Sequence, residues 1–270
     1  MVADDKLFAG SIPEFYGRFM VPMLFEFYAL DLADRLRESE PLSVLETAAG
    51  TGVLTRAMAD RLPSEARILA TDLNQPMLDY AAAQQRGDGR ISWQQADAQA
   101  LPAPDLSFDA VACQFGAMFF PDKLQAYREA HRVLKPGGRF LFNVWDRISE
   151  NEFGDVVTQA LAALFPNDPP RFLARTPHGY CDVPRIRHEL TEAGFANVSY
   201  EAVDGTSRAA SPRDAAFAFC QGSPLRNEIE ARGTVSLDEA TDRAAEALAK
   251  RFGNGPVEGR MRALVITATS

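Results

Sequence analysis

Val44-Leu45-Glu46-Thr47-Ala48-Ala49-Gly50-Thr51-Gly52 decides the fold. A short aliphatic run passes straight into a loop of very small residues. Beyond the loop a helix-like segment starts at Val53 and carries Leu54, Met58 and Leu62 at helical spacing. Strand, tight small-residue turn, helix is the opening of a nucleotide-binding α/β unit. Small residues let the backbone approach a ligand, and glycine takes backbone angles that other residues resist. A dinucleotide turn wants G-x-G-x-x-G, so that a pyrophosphate rests on the helix N-terminus. Counted from Gly50, the third glycine position holds Thr55. On its own such a loop is equally an ordinary strand-to-helix connection, so the segments around it must decide.

Ala66 to Leu73 reads as a second strand ending in Asp72, placed where a carboxylate accepts hydrogen bonds from both hydroxyls of a ribose. Asn74 to Ala81 is a turn feeding a helix. Ile91 to Ala98 reads as a third strand ending in an acid, Asp97. Leu101 to Asp109 leads into a fourth strand, Asp109 to Phe115. His131 to Arg139 closes a helix and turns into a fifth strand, Phe140 to Trp145. Pro136 stops that helix, and Gly137-Gly138 makes the turn.

The spelling E-x-A-x-G-x-G at Glu46 to Gly52 resembles the first motif of class I S-adenosylmethionine-dependent methyltransferases. There an acid precedes three alternating glycines. Ala48 stands in place of the first, which suits a turn of negative φ at that position. The run Asp72 to Ala81 resembles the ubiquinone-biosynthesis-type branch, and the likeness extends over about Glu14 to Asp146. It implies a doubly wound, Rossmann-like α/β fold. Its seven-stranded mixed sheet has the last strand antiparallel, and helical cap insertions are added. It also implies S-adenosylmethionine as cofactor, held by Tyr16, Glu46, Ala48, Gly50, Gly52, Asp72, Leu73, Met77, Asp97, Ala98 and Gln114. In the family the residue at the Met77 position packs on adenine. The acid at the Asp97 position pairs with the adenine amino group, and a neighbouring backbone amide meets a ring nitrogen. Plain helix packing is the alternative for Met77.

Whole-chain properties agree with this. The 270 residues are expected to form a single domain, 1–270: a helical lid over 1–36, a cofactor-binding core over 37–147, and substrate or cap insertions over 148–181 and 206–258. A hydrophobic content of 46% supports a proper core. The net charge of −9 and the lack of a basic block argue against a nucleic-acid acceptor. No apolar run is long enough for a membrane span, and Met1 to Lys6 does not read as a signal peptide, so neither is expected. Cys113, Cys181 and Cys220 form no C-x-x-C pair and point to a reducing, cytoplasmic setting. No cluster has metal-ligand spacing, so no metal is expected.

Outside the core, Glu14 to Arg35 reads as a helix to about Val21, a break at Pro22, and a second helix with Phe25, Tyr28, Leu32 and Leu36 on one face. Asn151 to Phe165 looks helical, and a loop then carries Arg171, Phe172, His178 and Tyr180. Asp182 caps a helix ended by Gly194, and Val198 to Val203 is a sixth strand. Three short helices follow, announced by Ser211-Pro212, Ser223-Pro224 and the capping box Ser236-Leu237-Asp238-Glu239. They are expected to form a cap over the carboxyl ends of the strands. Met261 to Ala268 is the last strand.

Methyl transfer from a sulfonium is an in-line displacement. The protein must align the groups and exclude water, and it needs a base only for a nucleophile that is protonated at neutral pH. His178 and Tyr180 are the catalytic candidates, with Asp146 a further possible base; His131 and His188 read as packed or exposed helix residues. Phe19, Phe115, Met118 and Trp145 are candidates for an apolar acceptor pocket, against core packing as the plain alternative. Three readings remain open at this point: a methyltransferase acting on a small, partly apolar or aromatic molecule, an NAD-dependent oxidoreductase, and a non-catalytic S-adenosylmethionine-binding partner protein. The expected partner is a small-molecule acceptor, with no nucleic acid and no membrane. The oligomeric state is left open, a homodimer included.

Overall fold

The computed structural model describes residues 12–85 and 87–270. In chain order it contains α1 (Ile12–Phe15), a π-helical segment (Tyr16–Phe25), α2 (Glu26–Arg37), β1 (Ser43–Glu46), α3 (Val53–Arg61), β2 (Arg67–Asp72), α4 (Gln75–Gln84), β3 (Ile91–Gln95), β4 (Phe108–Gln114), α5 (Lys123–Val133) and β5 (Leu134–Trp145). Then come α6 (Glu152–Leu164), α7 (Phe172–Arg175), α8 (Val183–Glu192), β6 (Ala196–Ala209), α9 (Pro212–Gln221), α10 (Leu225–Arg232), α11 (Leu237–Phe252) and β7 (Val257–Thr269).

The seven strands form one sheet in the order β3-β2-β1-β4-β5-β7-β6. β1 lies parallel between β2 and β4, with Val44 opposite both Ile68 and Ala110. Val44, Leu45, Ala110, Val111 and Ala112 are fully buried, as the central strands of a sheet covered on both faces must be. The strand order reverses between β1 and β4. In an open α/β sheet, ligands bind at the carboxyl ends of the strands flanking such a switch point. Glu46 and Gln114 are the last residues of those two strands. β7 is antiparallel. Gly137 and Ser270 bond at one end of its pairing with β5, and Asp146 donates to the Arg262 carbonyl at the other.

The chain clusters into two compact units. One comprises residues 27–144, 181–202 and 264–270, and holds β1 to β4 and most of β5. Within it Tyr28, Leu32 and Leu36 of α2 are fully buried, the face expected from their spacing. His131 of α5 meets Phe195 edge-on at 5.1 Å, as a packed helix histidine. The other unit comprises the described residues up to 26, together with 145–180 and 203–263. Within it α11 packs against α9 and α6, and α9 against the π-helical segment. Asp182, Ser211 and Ser236 each accept a hydrogen bond from the backbone N–H three residues on, the caps that their positions promised. Among the described residues, no helix is long and apolar enough to cross a membrane.

Five local expectations need correction. The helix does not break at Pro22. The backbone from Tyr16 to Phe25 takes the wider π pitch, and the Glu26 N–H reaches the Val21 carbonyl. A π turn accommodates a residue that lacks an N–H within a continuous helix. β3 stops at Gln95, and Asp97 follows in an isolated bridge with Ala100. β5 begins at Leu134, so Lys135 to Gly138 form an irregularity inside the strand and not a turn before it. Gly137, at φ 76°, makes that irregularity possible. The loop before Tyr180 contains a short helix, α7, and the last two strands run longer than their apolar cores suggest.

Candidate cofactor and acceptor site

The loop after β1 is a conformational device. Ala48, Gly50 and Gly52 all have positive φ, at 53°, 55° and 75°. The alternation of small residues in the sequence is therefore an alternation of left-handed backbone. Ala48 departs from the expected negative φ and carries the strain of a non-glycine residue there. The loop is held by backbone bonds from Thr47 to the Ala112 carbonyl on β4 and from Ala49 to the Thr71 carbonyl on β2, each 2.9 Å. Gly52 opens α3. A Cβ on it would come within 3.0 Å of both Ala81 and Trp93. At Gly50 the requirement is φ and not space, since the nearest group to an added Cβ is the Met77 methyl at 3.7 Å.

Asp72 ends β2 and is 7% exposed. Its Oδ2 accepts the Gly50 N–H at 2.9 Å, and its Oδ1 accepts the Asn74 N–H at 2.8 Å. Burial pushes its pKa up, while these donors pull it back toward the charged form. Glu46 is more deeply buried, and its Oε2 accepts the Thr55 hydroxyl at 2.5 Å. Thr55, the residue at the missing third glycine, thus has a side-chain role that spacing alone did not reveal.

Met77 is buried at the start of α4 beside Gly50, whereas Leu73 is 44% exposed. Asp97 is exposed and accepts from the backbone and side chain of Gln99, with Ala98 half-buried beside it. Gln114 at the end of β4, and Phe115 and Met118 just beyond it, are buried. Phe115 has φ 49°, and its N–H donates to the Asn143 side-chain oxygen at 2.9 Å. Its ring stands edge-on to Tyr28 at 5.4 Å. Asn143 and Tyr28 therefore fix a loop residue that the sequence marked only as aromatic.

The remaining candidates lie in the other unit. There the rings run Tyr16–Phe25 (5.1 Å), Phe25–Trp145 (5.8 Å) and Trp145–His178 (5.9 Å). Phe19 lies against Phe217 at 5.2 Å, and Tyr180 is buried. His178 Nδ1 sits 2.8 Å from the Asp146 carbonyl oxygen, which assigns the proton to Nδ1. Burial drives the His178 pKa down to about 4, against the smaller opposing pull of the Asp146 carbonyl. The ring is neutral at pH 7, which suits it to hydrogen bonding and positioning more than to storing a proton. Because its folded pKa lies below the unfolded value near 6.5, the stability it contributes is full above that pH and is lost as pH falls toward 4. The His178 imidazole is expected to stay neutral at pH 5.5 in a nitrogen-detected NMR titration, where a free imidazole is mostly charged. A midpoint near 6.5 would contradict this.

The residues present fit an adenosyl cofactor. A buried carboxylate ends β2, held by backbone donors as a ribose diol requires. The loop beside it holds left-handed backbone at two glycines, and the buried Thr51 hydroxyl within that loop has no hydrogen-bond partner among the described residues. A doubly wound sheet with this loop at its switch point defines a nucleotide-cofactor-binding α/β protein. Comparison with known proteins narrows the class. Residues 45–142 match the methyltransferase domain family. A relative from Marinomonas sp. (strain MWYL1), named ubiquinone/menaquinone biosynthesis C-methyltransferase UbiE, is 33% identical over 174 residues, covering 60% of this chain and 69% of that protein. Among solved structures, the YcgJ protein from Bacillus subtilis aligns with a TM-score of 0.57 at 21% identity, over 90% of this chain and 98% of that one. The [4+2]-cyclase SpnF aligns at 0.52 and 21% identity, over 88% and 81%. The chain belongs to the class I S-adenosylmethionine-dependent methyltransferases. It is an enzyme of that class with S-adenosylmethionine as its cofactor, which removes the oxidoreductase and non-catalytic readings.

Proposed function

We propose that the methyl acceptor is a small, partly apolar or aromatic molecule. The observation that carries this reading is the run of rings from Tyr16 through Phe25 and Trp145 to His178. A pocket built on aromatic faces with one or two polar tips selects a flat apolar ligand. The quinone-pathway name of the Marinomonas relative supports the same direction. The net charge of −9 speaks against a polyanionic acceptor. Three cysteines outside any disulfide fit a reducing compartment such as the cytoplasm.

S-adenosylmethionine supplies a methyl group already activated by its positive sulfur. The chain's own residues then have positioning work. Asp72 holds the ribose hydroxyls, Met77 packs on the adenine, and Asp97 takes the adenine amino group. His178 and Tyr180 orient the acceptor, with His178 taking a hydroxyl proton only from an acceptor acidic enough to yield it to a weak base. The test is a labelled-methyl screen over hydroquinones, phenols, small amines and bulk tRNA. Transfer to ring acceptors is expected, with Trp145→Ala raising their KM at least tenfold while the cofactor Kd stays within twofold. Transfer confined to tRNA or to wholly polar amines would overturn the reading.

A further inference from the structure

Asp72 and Glu46 end neighbouring strands, yet the fold treats them differently. Asp72 takes backbone N–H groups on both of its oxygens. Glu46, 1% exposed, takes one hydrogen bond, from the Thr55 hydroxyl. Burial pushes both carboxyls up, but Asp72 has several N–H donors that favour its charged form, whereas Glu46 has a single hydroxyl donor to offset its lost hydration. The groups facing Glu46 do not change this. Asp72 on β2 repels its negative form. Arg56 on α3 attracts it, but donates to the Thr51 carbonyl at 2.8 Å. Cys113 on β4 is a thiol that burial pushes up to about 11, so it adds no charge.

We propose that Thr55 is a positioning residue acting through Glu46, and that this pair makes cofactor capture release a proton. In the free protein Glu46 holds a proton while its Oε2 accepts the Thr55 hydroxyl. When the cofactor, which carries a sulfonium and an α-ammonium group, arrives beside the β1 end, the carboxyl ionises and the proton passes to solvent. No bond other than the carboxyl O–H changes. Burial pushes Glu46 up to about 8, Thr55 and Arg56 pull it down, and Asp72 adds to the rise. The inference rests on the placement of Glu46 at the cofactor site.

Calorimetry of S-adenosylhomocysteine binding to the wild-type protein at pH 7, in buffers of different ionisation enthalpy, counts the proton directly. Release of roughly 0.5–1 proton per site is expected from linkage. Affinity should rise by up to about tenfold per pH unit between pH 6 and 8, then level off. Glu46→Gln should lose this rise, and subtracting the variant's pH dependence from that of the wild type cancels the ligand's own titration. Thr55→Val deletes the donor that favours the charged carboxyl, so its levelling-off point should move to higher pH, with Thr55→Ser restoring it. A purely packing role for Thr55 would change affinity equally at every pH, and that result overturns the proposal. So does a proton count near zero in the wild type. Asp72→Ala, run in parallel, separates the two levels of inference. A large affinity loss there with no proton released leaves the site standing and removes the proton linkage. Unchanged affinity there removes the site and the linkage with it.

Discussion

S-adenosylmethionine binding by Asp72→Ala is expected to weaken by about 30- to 700-fold, roughly 2–4 kcal/mol. The magnitude comes from two hydrogen bonds to the ribose hydroxyls, each strengthened by the charge on the carboxylate. Asp72 is fixed from both sides, by Gly50 N–H on Oδ2 and Asn74 N–H on Oδ1. Removing it therefore costs twice. The ribose loses its acceptor, and the loop after β1 loses the anchor that holds Gly50 toward β2. Asp72→Asn keeps the shape and one acceptor oxygen while losing the charge, so its affinity should fall between the two. Isothermal calorimetry with S-adenosylmethionine and S-adenosylhomocysteine measures both variants. Wild-type affinity in Asp72→Ala would mean that the ribose is held elsewhere.

The turn that shapes the candidate cofactor site was legible in the sequence because its information is local. Positive φ at alternate positions demands small residues, and Ala48, Gly50 and Gly52 advertise it. Helix starts were legible for the same reason: Asp182, Ser211 and Ser236 cap N–H groups three residues away. What escaped notice depends on partners distant in the chain. Thr55 gains its meaning only when α3 folds back over Glu46. Phe115 takes a strained backbone where Asn143, on the next strand, supplies an acceptor to its N–H. Phe25 read as one face of a helix, yet it stacks on Tyr16 and meets Trp145, far along the chain. At Pro22 the local rule was sound, but it lost to a change of helical pitch that packing supports. The expectation for Ala48 failed in an instructive way. The residue type pointed to negative φ, and the fold imposes the glycine conformation regardless.

That imposed conformation has a visible counterpart. Ala48 directs its methyl at Gly116 in the loop after β4, and a Cβ built on Gly116 would overlap it and stand 2.8 Å from Cys113 Sγ. Where the methyltransferase motif has glycine at the first position, this chain has alanine, and Gly116 supplies the missing space from the other side. Gly116→Ala is therefore expected to destabilise the protein by roughly 1–3 kcal/mol, the cost of overpacking against groups that cannot swing away. It should also displace Phe115, already held at φ 49° by Asn143, and weaken cofactor binding. Ala48→Gly relieves a left-handed alanine worth roughly 1–2 kcal/mol and gives back part of that through the freer unfolded chain, so alone it should be neutral or mildly stabilising. The decisive measurement is the double variant. If the two positions share one methyl's worth of room, Ala48→Gly should recover much of what Gly116→Ala loses, with a coupling of roughly 0.5–3 kcal/mol in a denaturant-unfolding cycle. Additive effects would show that the Gly116 cost comes from Cys113 alone, because that contact survives in the double variant. Recovery would show that the alanine in the motif is tolerated because β4 ends in a glycine loop.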